Sequence, residues 1–412
     1  MLVSLFVDRV VPARLGPDVR RLVAATWLVQ FADGMALVAG PLAVASLTAS
    51  PFLVGLAVAL HRLPVLLAGP YAAFLADLVN RRLLVVAADG VRAGVLAVIA
   101  TLYALGAAPV ALVLVAMLVL GVAETVADAA RGPVLPMLAA DPEALDSIGG
   151  RLDGGFVLGT QLLGPALGAL LFAVGGAVPF LAQALLLAGG VALFSRIRVA
   201  GPSRGPAPAP EHHPVRTGLR RIAVDPPLSG LVLAGLAAQA AWAGGWALLV
   251  VYATRLLGLG PTGFGLLVAV AAAGGMAGVA LRPLVEWLPR RLAAVTPARI
   301  VLAGLALEAT GHLALSRLHD PWIAAGTVAA LAAVGFVAGD VARELRRTRT
   351  AGDGTADSVA AATATLGLAA TVAGCLAGGA LAAIGGIAAA YVGGAALLGL
   401  ALILLFRRVV AL

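Results

Sequence analysis

Apolar stretches of about twenty residues succeed one another along the whole chain, separated by short breaks rich in Arg, Pro, Gly or acid. A helix rises 1.5 Å per residue, so each stretch can cross a hydrocarbon core of ~30 Å. Twelve are read, at about 21–48, 52–75, 83–104, 109–130, 152–174, 177–196, 227–252, 263–287, 295–316, 321–342, 358–383 and 387–406. In lipid a backbone must satisfy its polar groups within its own segment, which selects the helix for runs of this length. The pattern predicts an all-α membrane protein with twelve transmembrane helices. The first run follows Arg20-Arg21, exceeds a signal h-region and contains Asp33, so it reads as a span rather than a cleavable leader.

The pattern also repeats. Asp77-Leu78-Val79-Asn80-Arg81-Arg82-Leu83 returns about 210 residues later as Glu286-Trp287-Leu288-Pro289-Arg290-Arg291-Leu292. Gly55 maps on Gly265, Asp128 with Arg131 on Asp340 with Arg343, and Gly175-Gly176 on Gly385-Gly386. Such a repeat in so apolar a chain implies two homologous membrane halves in parallel orientation. The expected organisation is a six-helix bundle over 1–200, a linker over 201–226 and a second, pseudo-symmetric six-helix bundle over 227–412. The linker carries Pro206-Ala207-Pro208-Ala209-Pro210 and several arginines, and is expected to lie exposed without a core.

Composition excludes other classes. Hydrophobic residues make up 61% and charged ones 12%, with mean hydropathy +1.04, whereas a soluble domain carries about 25% charge. The net charge of +8 comes from arginine alone, since the chain has no lysine. The arginines gather in alternate breaks, which by the positive-inside rule places both termini in the cytoplasm and speaks for topology rather than nucleic acid. Cys375 is the only cysteine, so no internal disulfide or thiolate metal cluster is available. His212-His213 in the linker make a poor metal site, and no metal or cofactor is expected. There is no phosphate loop of the Gly-x-x-x-x-Gly-Lys-[Ser/Thr] type, no His-Glu-x-x-His and no Gly-x-Ser-x-Gly, so neither ATP-driven transport nor an intramembrane enzyme is supported.

The stretch from Gly69 to Leu83 resembles the loop signature of the major facilitator superfamily: a small residue, the acid Asp77, then the pair Arg81 and Arg82. It departs from that signature at Ala73, Leu78 and Asn80. Gly159 followed by Gly164-Pro165-Ala166-Leu167-Gly168-Ala169 resembles the antiporter signature Gly-Pro-x-x-Gly-Gly, echoed by Gly374-Cys375-Leu376-Ala377-Gly378-Gly379. Asp89-Gly90-Val91-Arg92, with Glu124, Asp128 and Arg131, looks most like the third drug:proton antiporter family, which includes macrolide and enterobactin exporters. The resemblance implies the major facilitator fold and a secondary transporter working by alternating access. It further implies proton-coupled efflux of a hydrophobic or amphiphilic small molecule, by a monomer in a bacterial inner membrane. An uncoupled facilitator or lysolipid flippase of the same fold is the alternative reading.

Residue roles follow in three groups. Asp77, Arg81 and Arg82 with Glu124, Asp128 and Arg131 would latch helices at the cytoplasmic end of the first half, and Glu286, Arg290, Asp340 and Arg343 would repeat the latch in the second. Gly164, Pro165 and Gly168 suit a hinge, because proline removes a backbone donor and the glycines permit close packing. Charges inside spans are the sharper signal. Asp33 is expected to be the protonatable carboxylate, with Arg62 as its partner and His61 nearby, and its match in the second half is read as Trp242. Glu308 and His312, four residues apart, could form a second relay or bond each other. Trp27, Gln30, Gln161, Gln239, Trp242 and Trp246 would line a cleft for an amphiphilic organic molecule.

Overall fold

The computed structural model describes residues 16–139, 142–198, 214–291 and 296–410. Every regular element among them is helical. The helices of the first half are α1 (Pro17–Leu47), α2 (Pro51–Leu78), α3 (Arg81–Ala104), α4 (Val110–Arg131), the short α5 (Val134–Leu138), α6 (Pro142–Gly155), α7 (Gly164–Val174) and α8 (Val178–Phe194). The second half supplies α9 (Pro214–Val224), α10 (Pro226–Ala247), α11 (Pro261–Ala280), α12 (Arg282–Arg291), α13 (Pro297–Leu315), α14 (Pro321–Thr350) and α15 (Ala356–Val410). Several start where a polar side chain accepts the first free N–H groups. Asn80 caps α3, Asp225 caps α10, Thr296 caps α13 and Asp320 caps α14. Pro follows the cap directly in α10, α13 and α14, where its missing donor would have had no partner.

Among the described residues, ten helices are long and apolar enough to cross a membrane. One of them, α15, leaves helical geometry at Gly385 and Gly386, where φ at Gly386 is +75°, so it counts as two arms. Adding the shorter apolar α8 gives twelve apolar segments among the described residues, in register with the hydropathy pattern. Large apolar side chains such as Leu67, Tyr71, Trp322, Ile384 and Ile403 stand exposed, as lipid contact requires.

The chain divides into two compact units, one over Met1–Leu47 and Leu63–Ala207, the other over Thr48–Arg62 and Pro208–Leu412. This differs from a single cut near residue 200, because the first turns of α2 pack with the second unit and α2 changes unit just before Pro64. There Arg255 donates to the carbonyl oxygens of Ala49 (2.6 Å) and Thr48 (2.8 Å). The linker expectation is corrected in its second part. Residues 201–213 lie outside the described residues, but Pro214–Val224 is an ordered helix. Its Gly218 sits so close to α15 that an added Cβ would lie 2.0 Å from the Ser358 carbonyl oxygen. Its Ile222 packs with Leu228, Val232, Val359 and Ala362. Val215, Gly218 and Ile222 recur at helical spacing, which the Pro-rich flank obscured.

The repeat places a matching seam in each unit where two helices meet backbone to backbone. In the first, a Cβ on Gly34 of α1 would lie 2.2 Å from the Gly159 carbonyl oxygen and 3.0 Å from Gly164 Cα, and one on Gly168 would lie 2.7 Å from the Met35 carbonyl oxygen. In the second, a Cβ on Gly244 of α10 would lie 2.8 Å from the Gly374 carbonyl oxygen, and one on Gly378 would lie 2.9 Å from Gly244 Cα. Gly34 and Gly244, Gly164 and Gly374, and Gly168 and Gly378 are each 210 residues apart. Small residues let membrane helices approach this closely. The seams set the offset at 210 at this depth, so the residue matching Asp33 is Ala243 rather than Trp242.

Candidate functional site

The first unit carries charge through its interior. Asp33 lies near the middle of α1, and its carboxylate accepts a bond from Arg92 of α3. The same Arg92 donates to Asp89 (3.0 Å) one turn earlier on α3 and stands 3.7 Å from Glu124 of α4. Asp89 in turn accepts from Arg131 (2.5 Å) at the end of α4, and Arg131 also holds Asp128 (2.9 Å). The result is a ladder of alternating charge running from mid-helix to the C-terminal end of α4.

The spacing explains why these residues meet. Asp89 and Arg92 sit three apart on α3, and Glu124, Asp128 and Arg131 share one face of α4. Small buried residues on the same pair of helices, Ala88, Ala123 and Ala127, let α3 and α4 pack closely enough for the long arginines to cross. Asp89 and Arg92 are 2% and 4% exposed, so neither can rely on bulk water. Asp128 is exposed, while the part-buried Asp33 and Glu124 and the buried Asp89 all face Arg92.

The expected partner of Asp33 is therefore corrected. Arg92, not Arg62, makes the ion pair, and Arg62 belongs to the segment that packs with the second unit. Asp89 and Arg92 were read from the sequence only as part of a family-like motif and given no role, although a charged pair inside an apolar span was the signal for one. The expected latch also divides. Arg81, the first residue of α3, pairs with Asp77 at the end of α2 (2.8 Å) and touches Met137 Sδ (3.3 Å), while Glu124 and Arg131 of α4 are bridged to Arg92 and Asp89 of α3. Asn80 caps α3 beside Arg82.

Helix α7 begins where a π-helical stretch, Phe156–Leu163, ends. Pro165 has no N–H to offer the Gln161 carbonyl, and the Gly164 N–H bonds back five residues to Gly159. Gly164, Pro165 and Gly168 thus combine a register shift with the α1 seam. A single π turn of this kind often marks a functional position.

Trp27 and Gln30 lie on the α1 face toward α6. Trp27 Nε1 donates to the Arg151 carbonyl (3.0 Å) and Gln30 Nε2 to that of Leu152 (3.2 Å), so both tie α1 to α6. Gln161 is half-buried in the π stretch. In the second unit Gln239 bonds Thr371 of α15 (3.0 Å), and Trp242 stacks on Trp246 with ring centres 5.6 Å apart. Asp340 pairs with Arg343 (3.1 Å) and Arg282 (3.7 Å). The side chains of Glu286 and Arg290 lie outside the described residues. Among the described residues, no group of three or more His, Cys, Asp or Glu side chains could hold a metal ion.

A sequence profile described as Major Facilitator Superfamily matches residues 22–342, which covers most of the chain. The chain belongs to the major facilitator superfamily. Solved structures agree at the level of fold. A bacterial homologue of the human lysosomal transporter Spinster, in an inward-facing and unoccupied conformation, has TM-score 0.70 and 16% identity over 95% of this chain and 96% of that one. A bacterial homologue of the iron transporter ferroportin, in an inward-facing state, has TM-score 0.70 and 15% identity over 95% and 98%. The nucleoside transporter NupG has TM-score 0.69 and 10% identity over 94% and 98%. No curated protein matches the sequence. As a major facilitator protein, the chain is a secondary transporter working by alternating access rather than an enzyme. The charged ladder then lies inside the first bundle of this major facilitator transporter, beside the α1–α7 seam.

The second bundle of this major facilitator chain has no such ladder among its described residues, but it buries Glu308 and His312 on α13, 5% and 2% exposed. Their side chains do not bond each other. His312 Nδ1 lies 2.8 Å from the main-chain carbonyl oxygen of Glu308, and Nε2 lies 3.3 Å from that of Ala241.

Proposed function

We propose that this transporter exports a hydrophobic or amphiphilic small molecule in exchange for protons, with Asp33 as the carboxylate that carries the proton. The supporting observation is that one buried guanidinium, Arg92, faces three acids on three helices' inner faces, Asp33 of α1, Asp89 of α3 and Glu124 of α4. Protonation of Asp33 would free Arg92 to bind Glu124 and Asp89 more fully. Proton and conformation would thereby be linked through one guanidinium, and a bias of a few kcal/mol suffices to shift such an equilibrium. The second unit, whose matching position is Ala243, offers no equivalent carboxylate. The antiporter-type Gly164-Pro165 hinge and the aromatic and amide side chains along α10 fit an amphiphilic substrate. The setting we propose is a bacterial inner membrane, with both termini cytoplasmic and the protein a monomer.

Compounds from a panel of macrolides, siderophores and lysolipids that raise the melting temperature of the purified protein would be loaded into proteoliposomes under an imposed pH gradient. Uptake should follow the gradient in the wild type and lose that dependence in Asp33→Asn. Gradient-driven uptake that persists in Asp33→Asn would remove Asp33 from the coupling. Uptake indifferent to the gradient in the wild type would favour the uncoupled facilitator or flippase.

A further inference from the structure

The second unit holds a half-open cavity of about 330 Å³ between α10, α11, α13 and α14. Its wall is mostly apolar, with Leu305, Leu331 and Phe336 among the larger side chains and Trp242 on the α10 side. One ionisable group lines it, Glu308. This carboxylate is 95% buried, and no hydrogen bond or ion pair reaches it among the described residues. Gly335 of α14 faces it, since a Cβ there would stand 3.2 Å from Glu308 Oε1. His312 turns its ring toward the Ala241 carbonyl and Tyr391 and is not part of the wall. Arg346 approaches only at the Gly235 end, where a Cβ would lie 3.8 Å from its Nη1, and it too is outside the wall.

We propose that this cavity is a binding site for an amphiphilic organic monocation, an ammonium head on a small apolar body. The size is at the lower end of small-molecule pockets, about 300–1,000 Å³. An ionised carboxylate without a partner in apolar surroundings is strongly disfavoured, so an arriving cation takes the place of the carboxyl proton, which leaves to solvent, and supplies the ion pair the site otherwise lacks. The indole of Trp242 and the ring of Phe336 add faces that attract ammonium groups. Gly335 leaves room for the head beside the oxygen, and the leucines take the apolar body. The site lies wholly in the second unit and needs no contribution from Asp33, so it stands or falls apart from the proton-coupling proposal.

The test is equilibrium binding to the full chain in detergent, by calorimetry, with no gradient present. The probes are 2-phenylethylammonium and its neutral analogue of equal size, 2-phenylethanol. The wild type should prefer the ammonium by about tenfold or more, the increment expected of a desolvated ion pair with aromatic walls. Glu308→Gln should abolish that preference, Glu308→Asp should keep part of it, and Gly335→Ala should weaken the ammonium more than the alcohol. Equal affinity for the two probes in the wild type overturns the proposal, and this comparison needs no variant to fold. A preference that survives Glu308→Gln overturns it as well, because the cation would then bind elsewhere.

Discussion

Arg92 is the residue on which the first unit depends most. It serves three acids, one of which, Asp89, is almost wholly enclosed. Removing one partner of a buried pair usually costs about 3–5 kcal/mol, because the other charge stays behind. Arg92→Leu should therefore lower the melting temperature sharply and reduce the yield of monodisperse protein. The double variant Arg92→Leu/Asp89→Asn should recover part of the loss. Asp225 permits a pH prediction outside the spans. Burial disfavours its charge, but hydrogen bonds from Arg349 (2.9 Å), the Leu228 N–H and Arg221 (2.9 Å) outweigh that and hold its carboxyl at about 2. A folded value below the ordinary value of about 3.9 means the stabilisation is complete above that value and lost as pH falls toward about 2. Melting temperature measured across that window should fall with acidity in the wild type, and the Asp225 share of the slope should vanish in Asp225→Asn.

At the level of elements, the two glycine seams make matching predictions. Gly34→Ala and Gly374→Ala each force a methyl group to within 2.2 Å of a carbonyl oxygen. Both should destabilise by about 1–3 kcal/mol, as overpacking of a fitted contact does. If one of the pair were silent in a thermal melt, that seam would be looser than its partner. Pro165→Ala should act in the opposite direction. It restores a donor to the Gln161 carbonyl and lets the π stretch return to α-helical register, raising thermal stability while slowing transport. Much of this level was legible beforehand. The spans, the breaks and the Gly-Pro signature follow from hydropathy and residue type, which act locally. The π stretch was not, because it depends on how α1 packs against α7. Nor was the helix Pro214–Val224, because its three inward positions sit beside a Pro-rich run that conceals their period.

For the whole molecule, the repeat predicted two related bundles, and the 210-residue offset reappears in backbone contacts. What the repeat could not supply was pairing across helices. Asp33 and Arg62 matched in depth along their own helices, and depth is what a span reading provides. Azimuth decides the contact, and it places Arg92 at Asp33. The same limit hid the environment of Glu308. Its residue type and depth were readable, but not that its carboxylate faces a cavity instead of the neighbouring histidine. Function divides in the same way: membership of a transporter superfamily was visible in short signatures, whereas the arrangement of charge that would select a coupling ion needed three helices at once.

Cys375 sits within the α10–α15 seam, its Sγ 3.6 Å from the Ala243 carbonyl oxygen and shielded on all sides. In a chain without lysine, that makes the protein nearly silent toward both thiol and amine reagents. Maleimide should leave the folded wild type unmodified and react once it is denatured. Reporter thiols could then be introduced in pairs, one per unit, without first deleting a native cysteine. Spin labels or fluorophores at such pairs would follow the opening and closing of the transport cycle on an otherwise unlabelled background.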